Sequence, residues 1–243
     1  MRIAVISDIH GNLIALEAVL ADIATKGTDQ IVCLGDIASM GPQPRETIEK
    51  LRSLENCLVI QGNTDAWCDV KMFDNYVPRT ERERRMMEIF RWGMERLSQE
   101  EVEYLLRLRP RHEITLGGRD SILFVHGSPR KNNEAMLPTT PEDALKEMLD
   151  GVEARIIACG HAHWPMIRPC GEKIVFNVGS VGWPMDGDPR AAYGLITWSR
   201  GNLSTELCRV GYDVEKVAAK AISRDMPWAN SYAASIRMAH RLP

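Results

Sequence analysis

From its first residues the chain alternates short apolar runs with stretches patterned for amphipathic helix, which restricts it to a sheet of mostly parallel strands joined by helical crossovers. Residues 3–7 form a β-branched run between polar neighbours and read as a buried strand. Asn12 is placed to cap the helix that follows. Leu13, Leu16, Val19, Leu20 and Ile23 supply its apolar stripe, which stops near Gly27. The same signals repeat, with a strand at 31–34, a helix at 46–54 and a strand at 58–60.

Between residues 80 and 108 the pattern turns helical, and Ser98-Gln99-Glu100-Glu101 has the form of a capping box that starts a second helix. The run Glu81-Arg82-Glu83-Arg84-Arg85 reads as a solvated helix face whose charges pair locally. Strands return at 112–116 and 122–125 across a turn at Gly117-Gly118, and Thr140-Pro141 opens a helix with Thr140 as its cap. Further strands fall at 155–159, 174–178, 192–198 and 203–209, before one or two closing helices. With no repeat, linker or low-complexity stretch, residues 1–243 read as a single domain. Residues of about 64–110 form a helical insertion or lid in this reading, and about 212–243 a C-terminal helical segment. Trp228, Tyr232 and Met238 in the latter suit either a dimer contact or a cover for the sheet.

The six cysteines are scattered without a C-x-x-C pair, and Cys33 and Cys159 sit inside apolar runs, so they read as reduced, buried thiols of a cytoplasmic protein. No stretch has the length of a membrane span or the form of a signal peptide. A formal net charge of −3 argues against a protein that grips a nucleic-acid backbone electrostatically.

The chemistry is concentrated just past the strands. Asp8-x-His10 follows the first, Gly35-Asp36 the second, Gly62-Asn63-x-Asp65 the third, His126-Gly127 the strand at 122–125, and Gly160-His161-x-His163 the strand at 155–159. Singly, each is more often a turn former, a helix cap or a satisfied structural histidine. Together they place four of the six histidines at the strand edge where open α/β sheets bind ligands. Oxygen and imidazole donors without thiolate suit two divalent ions of the Mn, Fe, Ni, Co or Zn type. Asp36, between the two candidate clusters, has two oxygens with which to bridge them. Two ions held about 3.5–4 Å apart would polarise a bridging water, and their net positive charge would attract a phosphate ester.

These residues, in this order, resemble the calcineurin-like metallophosphoesterase superfamily, in particular its small bacterial and archaeal phosphodiesterase-like members. The pattern is D-x-H, G-D, G-N-H-[DE], H and G-H-x-H, and the stretches at 177–182 and 184–190 are also similar to that subgroup. The resemblance implies an α/β (α+β) fold, a four-layer αββα sandwich of two mixed sheets flanked by helices. It implies Asp8, His10 and His163 as ligands of a first metal, Asn63, His126 and His161 as ligands of a second, and Asp36 as the bridge. The implied activity is hydrolysis of a phosphodiester, on a small or nucleotide-like substrate, by in-line attack of a metal-bridging hydroxide. Asp36, Asn63 and Asp65 are the implied catalytic residues. Thr64 stands where the family commonly has a histidine that serves the leaving group, and a threonine hydroxyl is a poor acid at neutral pH.

Asn12, Thr64 and Arg130 are candidate phosphate or substrate contacts, although helix capping is the ordinary use of Asn12 and an exposed loop charge that of Arg130. Trp67, Trp183 and Tyr193 can stack on a nucleobase or pack in the core. The glycines from Gly179 to Gly182 suit close backbone packing near the site. Competing readings are a phosphomonoesterase, including a Ser/Thr protein phosphatase, and a non-catalytic metal-binding scaffold of the same fold. Nucleic acid and membrane are not expected partners; a homo-oligomer is compatible with the sequence.

Overall fold

The computed structural model describes residues 1–68, 76–117 and 120–241. Residues 69–75 of the expected insertion, and Gly118 of the expected turn, therefore lie outside the described residues. The chain runs β1 (Arg2–Ile6), α1 (Leu13–Ala24), β2 (Gln30–Cys33), α2 (Pro44–Arg52), β3 (Cys57–Val59), α3 (Asn63–Ala66), α4 (Glu81–Met94) and α5 (Gln99–Leu106). It continues through β4 (Arg111–Gly117), β5 (Asp120–Val125), α6 (Glu142–Met148), β6 (Ile156–Cys159), β7 (Met166–Cys170) and β8 (Lys173–Asn177). A long hairpin of β9 (Ala191–Ser199) and β10 (Asn202–Val210) precedes α7 (Val214–Ser223) and α8 (Ala229–Met238).

The strands form two five-stranded mixed sheets, ordered β10-β9-β1-β2-β3 and β4-β5-β6-β8-β7. In the first, β1, β2 and β3 are parallel and β9 runs antiparallel to β1; in the second, β5, β6 and β8 are parallel and β4 and β7 are antiparallel edges. Side-chain alternation decides how the sheets stack. Ile3 and Val5 of β1 meet Val32, Leu34, Phe124, Ile156 and Phe176 in a core between the sheets. Ala4 and Ile6 point the other way, into a core with Leu16, Val19, Ile23 and Ile48 under α1 and α2. On the far face of the second sheet, Leu123, Val125 and Ile157 pack with Leu145 and Leu149 at α6. Strands buried on both faces explain why they read as continuous apolar runs, and the result is the four-layer arrangement expected. A further cluster joins Ile89 and Phe90 of α4, Val217 and Ala221 of α7, and Tyr232 and Ile236 of α8 around Trp183.

Local chemistry corrects some expectations. Strand β7 went unexpected because it contains Pro169, which has no N–H for a ladder; it is tolerated here because β7 is a sheet edge. Helix α6 begins at Glu142 with Pro141 in the capping position, and the Thr140 hydroxyl instead accepts from Leu137 N at 2.9 Å. Helix α2 begins two residues earlier than expected, with Pro44 in its first turn. Tyr232 is buried inside the cluster of α4, α7 and α8, which removes it from any dimer contact, while Met238 is exposed. All six cysteines are free thiols, five of them buried and Cys57 half-buried. Among the described residues no helix is long and apolar enough to cross a membrane.

Candidate metal centre

The loops that leave the strands zip to one another and carry the polar residues into one place. Asp8 N donates to Gly35 O at 3.0 Å and His10 N to Asp36 O at 2.9 Å, so the β1 and β2 ladders continue into their loops. Gly160 N donates to His126 O at 2.8 Å, tying the loops after β5 and β6. Gly182 N donates to Asp8 O at 3.0 Å, and a side chain at Gly182 would overlap the Ile9 carbonyl, which is why this backbone approach needs glycine. The bends are strained. Asp8, His10, Asp36, His161 and His163 all have left-handed backbone, with φ of 54°, 49°, 54°, 61° and 55°. Non-glycine residues hold this conformation only where surrounding contacts impose it, and five such residues meet at one site.

Each buried histidine is oriented by a backbone carbonyl. Nδ1 donates to Ser39 O in His10 (3.2 Å), to Leu34 O in His126 (2.8 Å) and to Trp183 O in His163 (2.6 Å). A carbonyl only accepts, so Nδ1 carries a proton in each, and Nε2 is the ring nitrogen that faces the centre. The Nε2 atoms of His10 and His163 lie 3.1 Å apart, and His126 Nε2 lies 3.0 Å from Asn63 Oδ1. Asp8 Oδ1 stands 3.8, 3.9 and 3.2 Å from Nε2 of His10, His126 and His163. The two oxygens of Asp36 divide between clusters, Oδ2 at 3.7 Å from His10 Nε2 and Oδ1 at 3.5 Å from His126 Nε2.

These donors fit divalent cations. Asp8, His10 and His163 form one group whose ligand atoms lie within 4.8 Å of one another, and Asp8, Asp36 and His126 form a second. Asp8 is therefore the residue common to both groups, whereas Asp36, expected as the bridge, belongs to the second. Bonds of about 2.1 Å to one ion put neighbouring ligands roughly 3.0–3.5 Å apart, close to the spacings found. Asp8 Oδ1 is buried with no hydrogen-bond partner, which is costly for an anion unless a cation compensates it. Burial works to raise Asp8, but His163 and His126 hold it at about 2. Burial acts on Asp36 in the same sense, and the charge and hydrogen bond of His126 keep it below the usual carboxylate range. Burial takes His10 down to about 4 and lowers His161 as well, leaving both neutral. Burial also acts to lower His126, yet Asp36 and Asp8 carry it up to about 10, so a cation there must displace a proton.

The remaining candidates divide. His161 is half-buried; its N–H donates to Asp8 Oδ2 at 2.9 Å and its ring lies 5.3 Å from that of His126, outside both groups of three. Thr64 N donates to Asp36 Oδ1 at 2.8 Å, while its hydroxyl accepts from Ser39 Oγ at 2.7 Å. Asp65, expected to be catalytic, is turned to the backbone. It accepts from Asp36 N (2.8 Å), Gly62 N (2.8 Å) and Ile37 N (3.0 Å), and so clasps the loop that holds Asp36. Burial and the charge of Asp36 push it up to about 6, against the pull of those donors. Asn12 caps α1 by accepting from Ala15 N (3.1 Å) and donates Nδ2 to Gly182 O (2.9 Å), so it ties the loop after β1 to the 179–182 turn. Arg130 is held by Glu134, with Nη2 2.7 Å from its carboxylate.

Trp183 and Tyr193 are 2% and 0% exposed, which removes both from base stacking. The Trp183 ring instead stands edge-on to His10 and His163, at 5.7 and 6.1 Å, and anchors its Nε1 on Ser235. Its part in positioning the histidines, like that of the Ser39 and Leu34 carbonyls, has no signature in residue type.

The fold and this strand-end cage define a phosphoesterase class. Residues 1–201 match the calcineurin-like phosphoesterase superfamily domain, and the chain belongs to that superfamily. It is 31% identical over 242 residues to an uncharacterized protein of Methanocaldococcus jannaschii, MJ0912, covering 93% of each chain. It is 26% identical to Phosphodiesterase YfcE of Escherichia coli, over 81% of this chain and 87% of that one. Among solved structures it is similar to a metallophosphoesterase from Sphaerobacter thermophilus, with TM-score 0.76, 28% identity, and 98% and 99% of the two chains covered. The hypothetical protein PH1004 from Pyrococcus horikoshii OT3 shares the fold at TM-score 0.84 and 24% identity, covering 100% of this chain and 98% of that one.

Proposed function

We propose that this chain is a phosphodiesterase that uses two divalent cations to hydrolyse a small or nucleotide-like ester. The observation that carries the reading is the buried, unpartnered Asp8 Oδ1 set among three histidine Nε2 atoms, with Asp36 opening one oxygen toward each cluster. Asp8, His10 and His163 are the residues to hold one ion, Asn63, His126 and His161 the second, with Asp36 between them. A bound pair of cations supplies Lewis acidity toward the phosphoryl oxygens and a water acidic enough to be a nucleophile at neutral pH. The chain's own contribution is preorganisation: carbonyl-anchored imidazoles and strained loops hold the donors in place before substrate arrives. Asn63 donates its amide to a phosphoryl oxygen. Thr64 brings no imidazole, and its hydroxyl is engaged with Ser39, so the leaving group takes its proton from water and esters with acidic leaving groups turn over fastest. The helical layer of α4, α7 and α8 is the wall behind the site, in contact with it through Trp183.

The expected outcome is Mn²⁺-dependent hydrolysis of bis(p-nitrophenyl) phosphate in preference to p-nitrophenyl phosphate, abolished by EDTA. Asp36→Asn lowers kcat at least about a hundredfold. Faster hydrolysis of the monoester would make the protein a phosphomonoesterase, and two bound ions per chain without hydrolysis of any ester would make it a scaffold.

A further inference from the structure

The loop that carries His161 and His163 continues into Trp164, an aromatic residue for which the metal site has no use. Of the six tryptophans in the chain it is the exposed one, at 46%; Trp92 and Trp183 are buried and Trp67, Trp198 and Trp228 half-buried. An indole left in water on a loop is an unspent source of binding energy. Ile167, three residues on, is also exposed, at 44%.

Three observations connect Trp164 with the metal centre. Asp8, His10, Asp36, Asn63, His126 and His163 are all buried, whereas His161 is half-buried, so solvent reaches the centre on the side of the 160–165 loop. Trp164 adjoins His163, and Cα atoms of neighbouring residues lie only about 3.8 Å apart, so its backbone stands one residue from a candidate ligand of the centre. The backbone on both sides is pinned. His163 sits at φ 55° with its carbonyl accepting from Met185 N at 3.2 Å, and Pro165 follows, so close to Gly179 that a Cβ there would lie 3.0 Å from Pro165 Cδ. A platform held this way loses little entropy when a ring settles on it.

We propose that Trp164 is the stacking platform for a flat aromatic substituent of the ester, a nucleobase foremost, and so selects nucleotide-like substrates over alkyl ones. This rests on the metal-centre reading above. Calorimetric titration of the Mn²⁺-loaded protein with inorganic phosphate, ribose 5-phosphate and adenosine 5′-monophosphate tests it, because the last two differ only by the base. The wild type binds adenosine 5′-monophosphate about five- to 150-fold more tightly than ribose 5-phosphate, the worth of one base–aromatic stack. Trp164→Ala brings the two within about twofold, and Trp164→Phe keeps most of the difference. Equal affinity of the wild type for the two sugar phosphates, or a base advantage that survives Trp164→Ala, overturns the proposal. If Mn²⁺ confers no affinity for inorganic phosphate, the metal centre itself is misread and the platform falls with it.

Discussion

Asp65 accepts three backbone N–H groups, at 2.8, 2.8 and 3.0 Å, and is 1% exposed. Two of those donors belong to Asp36 and Ile37, where the chain is held in left-handed backbone at Asp36. Removing the carboxylate strands buried donors, each costing about 1–3 kcal/mol, and releases the strained residue. Asp65→Ala is therefore expected to lower the unfolding free energy by about 3 kcal/mol or more in urea denaturation, and to weaken Mn²⁺ binding. Asp65→Asn, which keeps one oxygen, falls between. Should Asp65→Asn keep full stability and metal affinity yet lose turnover, Asp65 would be an acid after all and its role as a clasp would be wrong. At this scale the candidate ligands are legible in sequence because carboxylate, amide and imidazole follow apolar runs. What aims them is not, since the carbonyls of Leu34, Ser39 and Trp183 belong to the backbone and carry no residue signature.

Strand ends and the loops after them are the elements that matter most. Alternating apolar runs made β1, β2, β3, β5 and β6 readable, whereas β7 was hidden by Pro169 and by exposed side chains at alternate positions. The start of α6 was misplaced by one residue because Thr140 has two uses for its hydroxyl, a helix cap or the turn back to Leu137. The glycine after β6 shows how tightly a loop is matched to its neighbour. A Cβ at Gly160 would overlap Ser7 Oγ and Asp8 Oδ2, the same oxygen that accepts from His161 N. Those atoms lie on the adjoining sheet and cannot retreat without moving Asp8. Gly160→Ala is therefore expected to cost about 1–3 kcal/mol of stability by overpacking and, more tellingly, to lower the number of ions retained per chain after gel filtration. A variant that retains the wild-type metal content would show that the loop after β6 does not set the position of Asp8.

The two sheets touch through an apolar core, and neither strand period nor composition signals that a second sheet covers the first; that expectation came from the resemblance alone. The architecture nevertheless has a consequence for the site. Asp8, His10, Asp36 and Asn63 leave the first sheet after β1, β2 and β3, while His126, His161 and His163 leave the second after β5 and β6. A cation held by both sets ties the layers together at one end of the sandwich, and the unfolded chain, with its donors scattered from residue 8 to residue 163, offers no equivalent cage. Binding to the folded state alone stabilises it by RT ln(1 + [L]/Kd), about 2.7 kcal/mol at a hundred times Kd. For a chain of this length that corresponds to a rise in Tm of about 5–10 °C, read by calorimetry in Mn²⁺ against EDTA. Asp36→Asn should lose most of that rise, because it removes a charge that faces both clusters. A Tm indifferent to Mn²⁺ in the wild type, or one that climbs equally in Asp36→Asn, would mean that the ions bind elsewhere or not at all, and that the gathered carboxylates and imidazoles serve the fold by themselves.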